Sequence, residues 1–137
     1  TRALMEDARV LDWIRALDRT TSFTASVCTG SLVLGAAGLL QGRQATTHWS
    51  TRTDLAALGA KPVPQRVVFD GKYVTGAGVS AGIDLALALC GRIAGDLIAQ
   101  SIQLRIEYDP QPPWEAGSLE KAPADVVDLA TASLLSG

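Results

Sequence analysis

An α/β fold is predicted for this chain, and three observations predict it. Runs with helical periodicity alternate with short β-branched runs, the pattern of strands linked by helices. A strand-like run, Phe23 to Val27, passes directly into a helix-like run through Cys28-Thr29-Gly30. Asp70-Gly71 separates two further strand-like runs, as a hairpin turn does.

The elements follow in order. From Asp7, the apolar residues Val10, Leu11, Ile14 and Leu17 fall on one helical face, with Arg9, Asp12 and Arg15 on the other. Thr20-Thr21-Ser22 breaks that pattern, and Phe23 to Val27 is expected as a short buried strand. Ser31 to Ala37 is expected as a helix of small and apolar residues stopped by Gly38. Gly42-Arg43 is expected as a turn and Gln44 to Thr47 as a short strand; a helix from about Thr51 to Leu58 should close at Gly59. Val63 to Phe69 and Lys72 to Thr75 are expected as the arms of the hairpin, with Asp70-Gly71 at its centre. The glycine-rich segment Gly76 to Gly82 should feed a long apolar helix that breaks near Gly95-Asp96 and resumes to about Tyr108. Pro110, Pro112 and Pro113 end it. After a loop from Trp114, Pro123 is placed in the first turn of a last helix carrying Val126, Val127, Leu129 and Leu134.

Composition bounds the function. The chain has 137 residues, 47% hydrophobic and 19% charged, with a formal charge of −2, which fits one soluble globular domain. No basic excess points to nucleic acid, and no apolar run reaches the roughly 20 residues that span a bilayer. Its two cysteines, Cys28 and Cys90, lie in unlike contexts, which argues against a disulfide scaffold and for a reducing, cytoplasmic setting. A metal site is not expected either, because His48 is the only histidine and has no cluster of acids or thiols around it.

Cys28 is the candidate nucleophile. A reactive cysteine acts as thiolate, and a helix N-terminus stabilises that charge through unpaired N–H groups and the helix dipole. Cys28 lies between strand and helix, at the sheet edge where α/β folds gather ligands, and Gly30 is expected to permit the sharp turn of a nucleophile elbow. The spacing alone leaves a second reading open, a small buried core cysteine.

The longer segment is more specific. Ser26 to Leu40, followed by Arg43-Gln44-Ala45-Thr46-Thr47-His48-Trp49, resembles the core signature of the DJ-1/PfpI superfamily. Thr75 to Leu87 resembles the loop and helix after the hairpin in that group. Gln103 to Trp114, Ala116-Gly117-Ser118 and Leu4-Met5-Glu6-Asp7 resemble its isocyanide hydratase branch. The resemblance implies a flavodoxin-like sandwich, a mostly parallel sheet with helices on both faces. It also implies that the first strands precede this chain, so that residues 1–137 form the C-terminal part of a single domain and the catalytic aspartate lies in that earlier portion, supplied from elsewhere in the polypeptide or by another chain.

The implied reaction is hydration of a small-molecule isocyanide to an N-substituted formamide, with Cys28 as nucleophile, a thioimidate intermediate and no metal or organic cofactor. Thr29 stands where protease-like relatives carry histidine and, by the same resemblance, helps to orient the acid. His48 and Trp49 are placed near the nucleophile with the Gly30 backbone, although a structural histidine and a core tryptophan remain open readings. A homodimer is implied, with Trp114 near its interface. Asp84 reads as a cap or flank of its helix, and Cys90, among Leu87, Ala88, Leu89 and Ile93, as core. The competing functions are a regulatory or redox-sensing domain, as at the front of AraC-type regulators, a peptidase or deglycase, and a catalytically incomplete fragment.

Overall fold

Asp7 divides the first helical stretch in two. In the computed structural model, which describes residues 1–135, a short helix α1 (Arg2–Glu6) precedes α2 (Ala8–Asp18), and the Asp7 carboxylate caps α2 by accepting from the Arg9 N–H at 3.0 Å. Strand β1 (Thr24–Val27) then leads through Cys28 into α3 (Gly30–Ala36). Gly38, at φ +79°, closes that helix with its N–H on Gly35 O, while Leu39 N–H returns to Leu34 O.

The next segment makes a two-stranded parallel sheet, β2 (Gln44–Ala45) with β3 (Lys61–Pro62), around a 3-10 turn at Trp49–Thr51 and helix α4 (Arg52–Ala57). The expected strand Gln44 to Thr47 is shorter than predicted. The Thr46 N–H leaves the ladder to bond the Thr75 hydroxyl at 2.9 Å. The expected strand Val63 to Phe69 is likewise divided. Val63 N–H still pairs with Ala45 O, Pro64 has no N–H to continue, and a new strand β4 (Val67–Asp70) begins beyond Arg66.

β4 and β5 (Tyr73–Gly76) form the predicted antiparallel hairpin, but its turn lies one residue later than expected. Asp70 pairs with Tyr73, so Gly71-Lys72 is the centre, and only Gly71 takes a positive φ, of 61°. β5 pairs on its other side with β1 in parallel, giving the order β1-β5-β4.

Strand parity divides this sheet into two faces. Ser26 and Thr75, partners in register, face α3 and the β2 segment, while Val27 and Gly76 face helix α5 (Ala81–Ala94). The first face covers a core of Leu32, Leu34, Leu40, Leu55 and Tyr73. On the second, Leu85 packs so closely over Gly76 that an added Cβ would lie 3.1 Å from its methyl. Helices thus lie on both faces of an α/β sandwich.

Gly95, at φ +91°, breaks α5 from α6 (Asp96–Arg105), as predicted. The core expected around Cys90 is not closed: Cys90 is half-buried, and Ile93 and Leu97 are 66% and 80% exposed. Apolar composition predicted burial there, but only Ala81 and Leu85 of α5 are buried, both in its first turns, and its far end is left largely uncovered. Helix α7 (Ala124–Leu135) ends the described chain. Pro123 sits just ahead of it, its carbonyl accepting from Val127 N–H.

A buried carboxylate ties the end of α2 to the sheet. Asp18, 8% exposed, accepts from the Thr24 hydroxyl at 2.6 Å and the Tyr73 hydroxyl at 3.0 Å, and lies 3.1 Å from Lys72 Nζ. Burial pushes its carboxyl up, but these three partners outweigh burial and hold it below the usual carboxylate range. A carboxyl depressed in the folded state adds stability above its unfolded value, near 3.9, that is lost as pH falls through the folded value. Asp18→Asn should therefore lower stability by about 1–3 kcal/mol at pH 7 in urea unfolding, and the gap to wild type should close as pH drops below about 4.

Candidate active site

The candidate nucleophile occupies a strained turn. β1 ends at Val27, and the Cys28 N–H bonds both Gly76 O at 3.0 Å and Ala77 O at 2.7 Å, at the end of the neighbouring parallel strand. The chain must then reverse into α3, and Cys28 does so at φ +58°. A left-handed conformation costs a non-glycine residue about 1–2 kcal/mol. The expectation that Gly30 makes the turn is corrected: Gly30 is the first helical residue, its φ is not positive, and a Cβ there would only touch Ser26 at 3.5 Å.

A chain of hydroxyls fixes the elbow from the α3 face. The Ser26 and Ser31 hydroxyls lie 2.8 Å apart, and Ser31 donates to Thr46 O at 2.7 Å. Thr47 donates to Cys28 O at 3.0 Å. Ser31, Thr46, Thr47 and Thr75 are all buried. The sequence reading missed this set. No local pattern marks it, because Thr46-Thr47 sits in a polar stretch, Arg43 to Asp54, that reads as exposed.

The predicted site residues fall into two groups. Thr29 follows Cys28, but its hydroxyl lies 2.7 Å from that of Thr1, in a separate cavity shared with Met5 and Thr51. His48, Trp49 and the Ala77-Gly78 backbone line a cleft of about 610 Å³ that also takes in Arg52, Arg66 and Glu120. His48 lies against Gly78, its ring Cδ2 at ordinary contact distance, 3.6 Å, from where a Cβ would stand.

His48 is both structural and pocket-lining. Its Nδ1 accepts from the Ser50 N–H at 3.4 Å and lies 2.7 Å from the Ser50 hydroxyl, so the ring proton belongs on Nε2. Burial lowers its pKa from the ordinary value, keeping the imidazole neutral at pH 7. Trp49, 5.4 Å from His48 ring to ring, is half-buried between this cleft and the segment leading into α7. Trp114 is 77% exposed.

Ser80, not Asp84, stands at the N-cap of α5, and Asp84 flanks it in the first turn. The Asp84 carboxylate accepts from Arg66 Nε at 2.6 Å and from the Tyr108 hydroxyl at 3.0 Å, which joins the cleft wall to the end of α6. Among the described residues there is no group of three or more His, Cys, Asp or Glu placed to hold a metal ion. No helix of the described chain is long and apolar enough to cross a membrane.

Comparison with known proteins places this geometry. The model of the DJ-1/PfpI family matches residues 1–92. The chain is 54% identical over 127 residues to an isonitrile hydratase of Pseudomonas putida, an alignment covering 93% of this chain and 56% of that protein. It is 38% identical over 101 residues to the HTH-type transcriptional regulator CdhR of Pseudomonas aeruginosa, covering 68% and 28% of the two chains. A solved THiJ/PfpI family protein from Pseudomonas syringae superposes with a TM-score of 0.91 at 45% identity, over 98% of this chain and 55% of that one. The chain thus spans little more than half the length of these hydratase-like and THiJ/PfpI relatives.

Two substitutions test the elbow. Cys28→Gly should be more stable than Cys28→Ala by about 1 kcal/mol in urea, because only glycine relieves the positive φ. Thr47→Val should cost about 1–2 kcal/mol and change the rate at which iodoacetamide alkylates Cys28, while Thr47→Ser should leave both close to wild type.

Proposed function

The chain belongs to the DJ-1/PfpI family, and from that premise we propose that it is the cysteine-bearing part of an isocyanide hydratase, a hydro-lyase that adds water to an isocyanide to give an N-substituted formamide. The observation that carries the reading is the Cys28 elbow, strained and backbone-bonded beside an open cleft, in a chain 54% identical to an isonitrile hydratase.

The chemistry needs few parts. The Cys28 thiolate attacks the terminal isocyanide carbon, which takes up a proton as the C–S bond forms, giving a thioimidate. Water adds to that carbon, the C–S bond breaks, and the formamide leaves as the thiol is restored. The proton requires an acid beside the sulfur. Among the described residues no carboxylate is hydrogen-bonded to Cys28 Sγ, so the reading assigns the acid to a portion of the polypeptide outside residues 1–137 or to another chain. Thr29, adjacent to the nucleophile, is assigned to orient it. No cofactor enters the reaction. We place the enzyme in the cytoplasm as a homodimer; its free cysteines and the exposed apolar side chains of α6 support that placement.

The similarity to a transcriptional regulator supports a second reading, a ligand- or redox-sensing domain built on the same elbow. The intact polypeptide should consume an aryl isocyanide, followed by loss of the isocyanide and appearance of the formamide. Cys28→Ala should lower kcat/KM by at least about a thousandfold. Absence of turnover in the intact polypeptide would sink the hydratase reading and leave the sensor.

A further inference from the structure

Arg52 is the least satisfied charged group on the wall of the cleft. Its Nε–H is buried without an acceptor among the described residues, although a buried charged donor left unpaired is costly. The one carboxylate it meets is Glu120, 3.4 Å from the guanidinium and 56% exposed. That pair joins α4 to the loop ahead of α7 across 68 residues of sequence. It is long for a charge-assisted hydrogen bond and uses one arm of the guanidinium fork, so it is a weak, exchangeable contact.

The rest of the cleft suits a small aromatic or aliphatic body. Trp49, Pro64 and Val79 supply apolar walls, and the Ala77 end of the cleft is the segment to which the Cys28 N–H is bonded. Arg52 and Glu120 line the same cleft as this Ala77 end. Arg66, the other guanidinium there, already holds Asp84 at 2.6 Å and the Ser80 hydroxyl at 3.2 Å.

We propose that Arg52 is a specificity-determining residue that binds a carboxylate at the far end of the substrate, and that Glu120 occupies that position until the ligand displaces it. The substrate class is then an isocyanide bearing a carboxylate, and the product a carboxylated formamide. The choice of ligand body rests on the hydratase reading. A carboxylate bound through two N–H groups of the guanidinium would make a bidentate pair, which the single 3.4 Å Glu120 contact does not do. Releasing Glu120 would also free the loop of residues 117–120 that walls the cleft.

Calorimetric titration of the intact polypeptide with 4-formamidobenzoate and with formanilide tests this without turnover. The carboxylate should bind about tenfold tighter or better. Arg52→Gln should abolish that preference, so that the two ligands bind alike, whereas Glu120→Gln should strengthen carboxylate binding by removing its competitor. A merely structural Arg52–Glu120 pair would make both variants bind more weakly, which would overturn the proposal, as would equal affinity for the two ligands in the wild type. Absence of isocyanide turnover in the intact polypeptide would refute the hydratase reading alone, because the carboxylate preference is read from binding.

Discussion

The paired hydrogen bonds from the Cys28 N–H to Gly76 O and Ala77 O set the rest of the site. They extend the parallel pairing of β1 and β5 one residue past the last strand position, so the chain cannot drift gradually into the next helix. It must reverse at a single residue, and that residue carries the thiol at positive φ. The Thr47 hydroxyl then holds the carbonyl of the same residue. With its amide on one strand end and its carbonyl on a buried threonine, Cys28 has little freedom to relax the strain.

The two faces of the sheet serve this turn differently. On the α3 face the contacts are polar and local to the elbow, from Ser26 through Ser31 to Thr46 and Thr75. On the α5 face they are steric. Gly82 lies against Val27, and Leu85 sits over Gly76 so closely that an added Cβ would lie 3.1 Å from its methyl. Polar bonds fix direction and close packing fixes distance, so the elbow is located by both.

Much of this was legible in the sequence. The strand-turn-helix at Cys28, the stop at Gly38, the break at Gly95 and the hairpin at Gly71 all rest on local backbone chemistry, and the structure contains each of them. What could not be read depends on distant partners. The left-handed conformation falls on Cys28 rather than Gly30 because β5 captures its amide, which no local pattern shows. Gln44 to Thr47 loses half its expected strand to a side chain on β5. Asp84 lies in the first turn of α5, as its place in the sequence suggests, but its partners Arg66 and Tyr108 adjoin it only in the fold. The apolar composition of α5 and α6 suggested a closed core, but composition does not say which face meets the sheet. His48 and Trp49 were placed near the nucleophile by resemblance. The cleft they line draws its charged groups from the segments of Arg52, Arg66 and Glu120, which only the fold assembles.

The β1–β5 pairing joins residues 24–27 to residues 73–76, so the elbow closes only over a long intervening loop. Non-local parallel pairs of this kind form late, because the loop-closure entropy must be met before any contact rewards it. Until β5 docks, nothing holds residue 28 in its strained turn, and the residue behaves as an ordinary cysteine of an extended chain. On the ribosome the segment through Ala77 must emerge before the thiol can be presented at all. The architecture thus makes the elbow a late product of folding, and incomplete chains lack the strained turn.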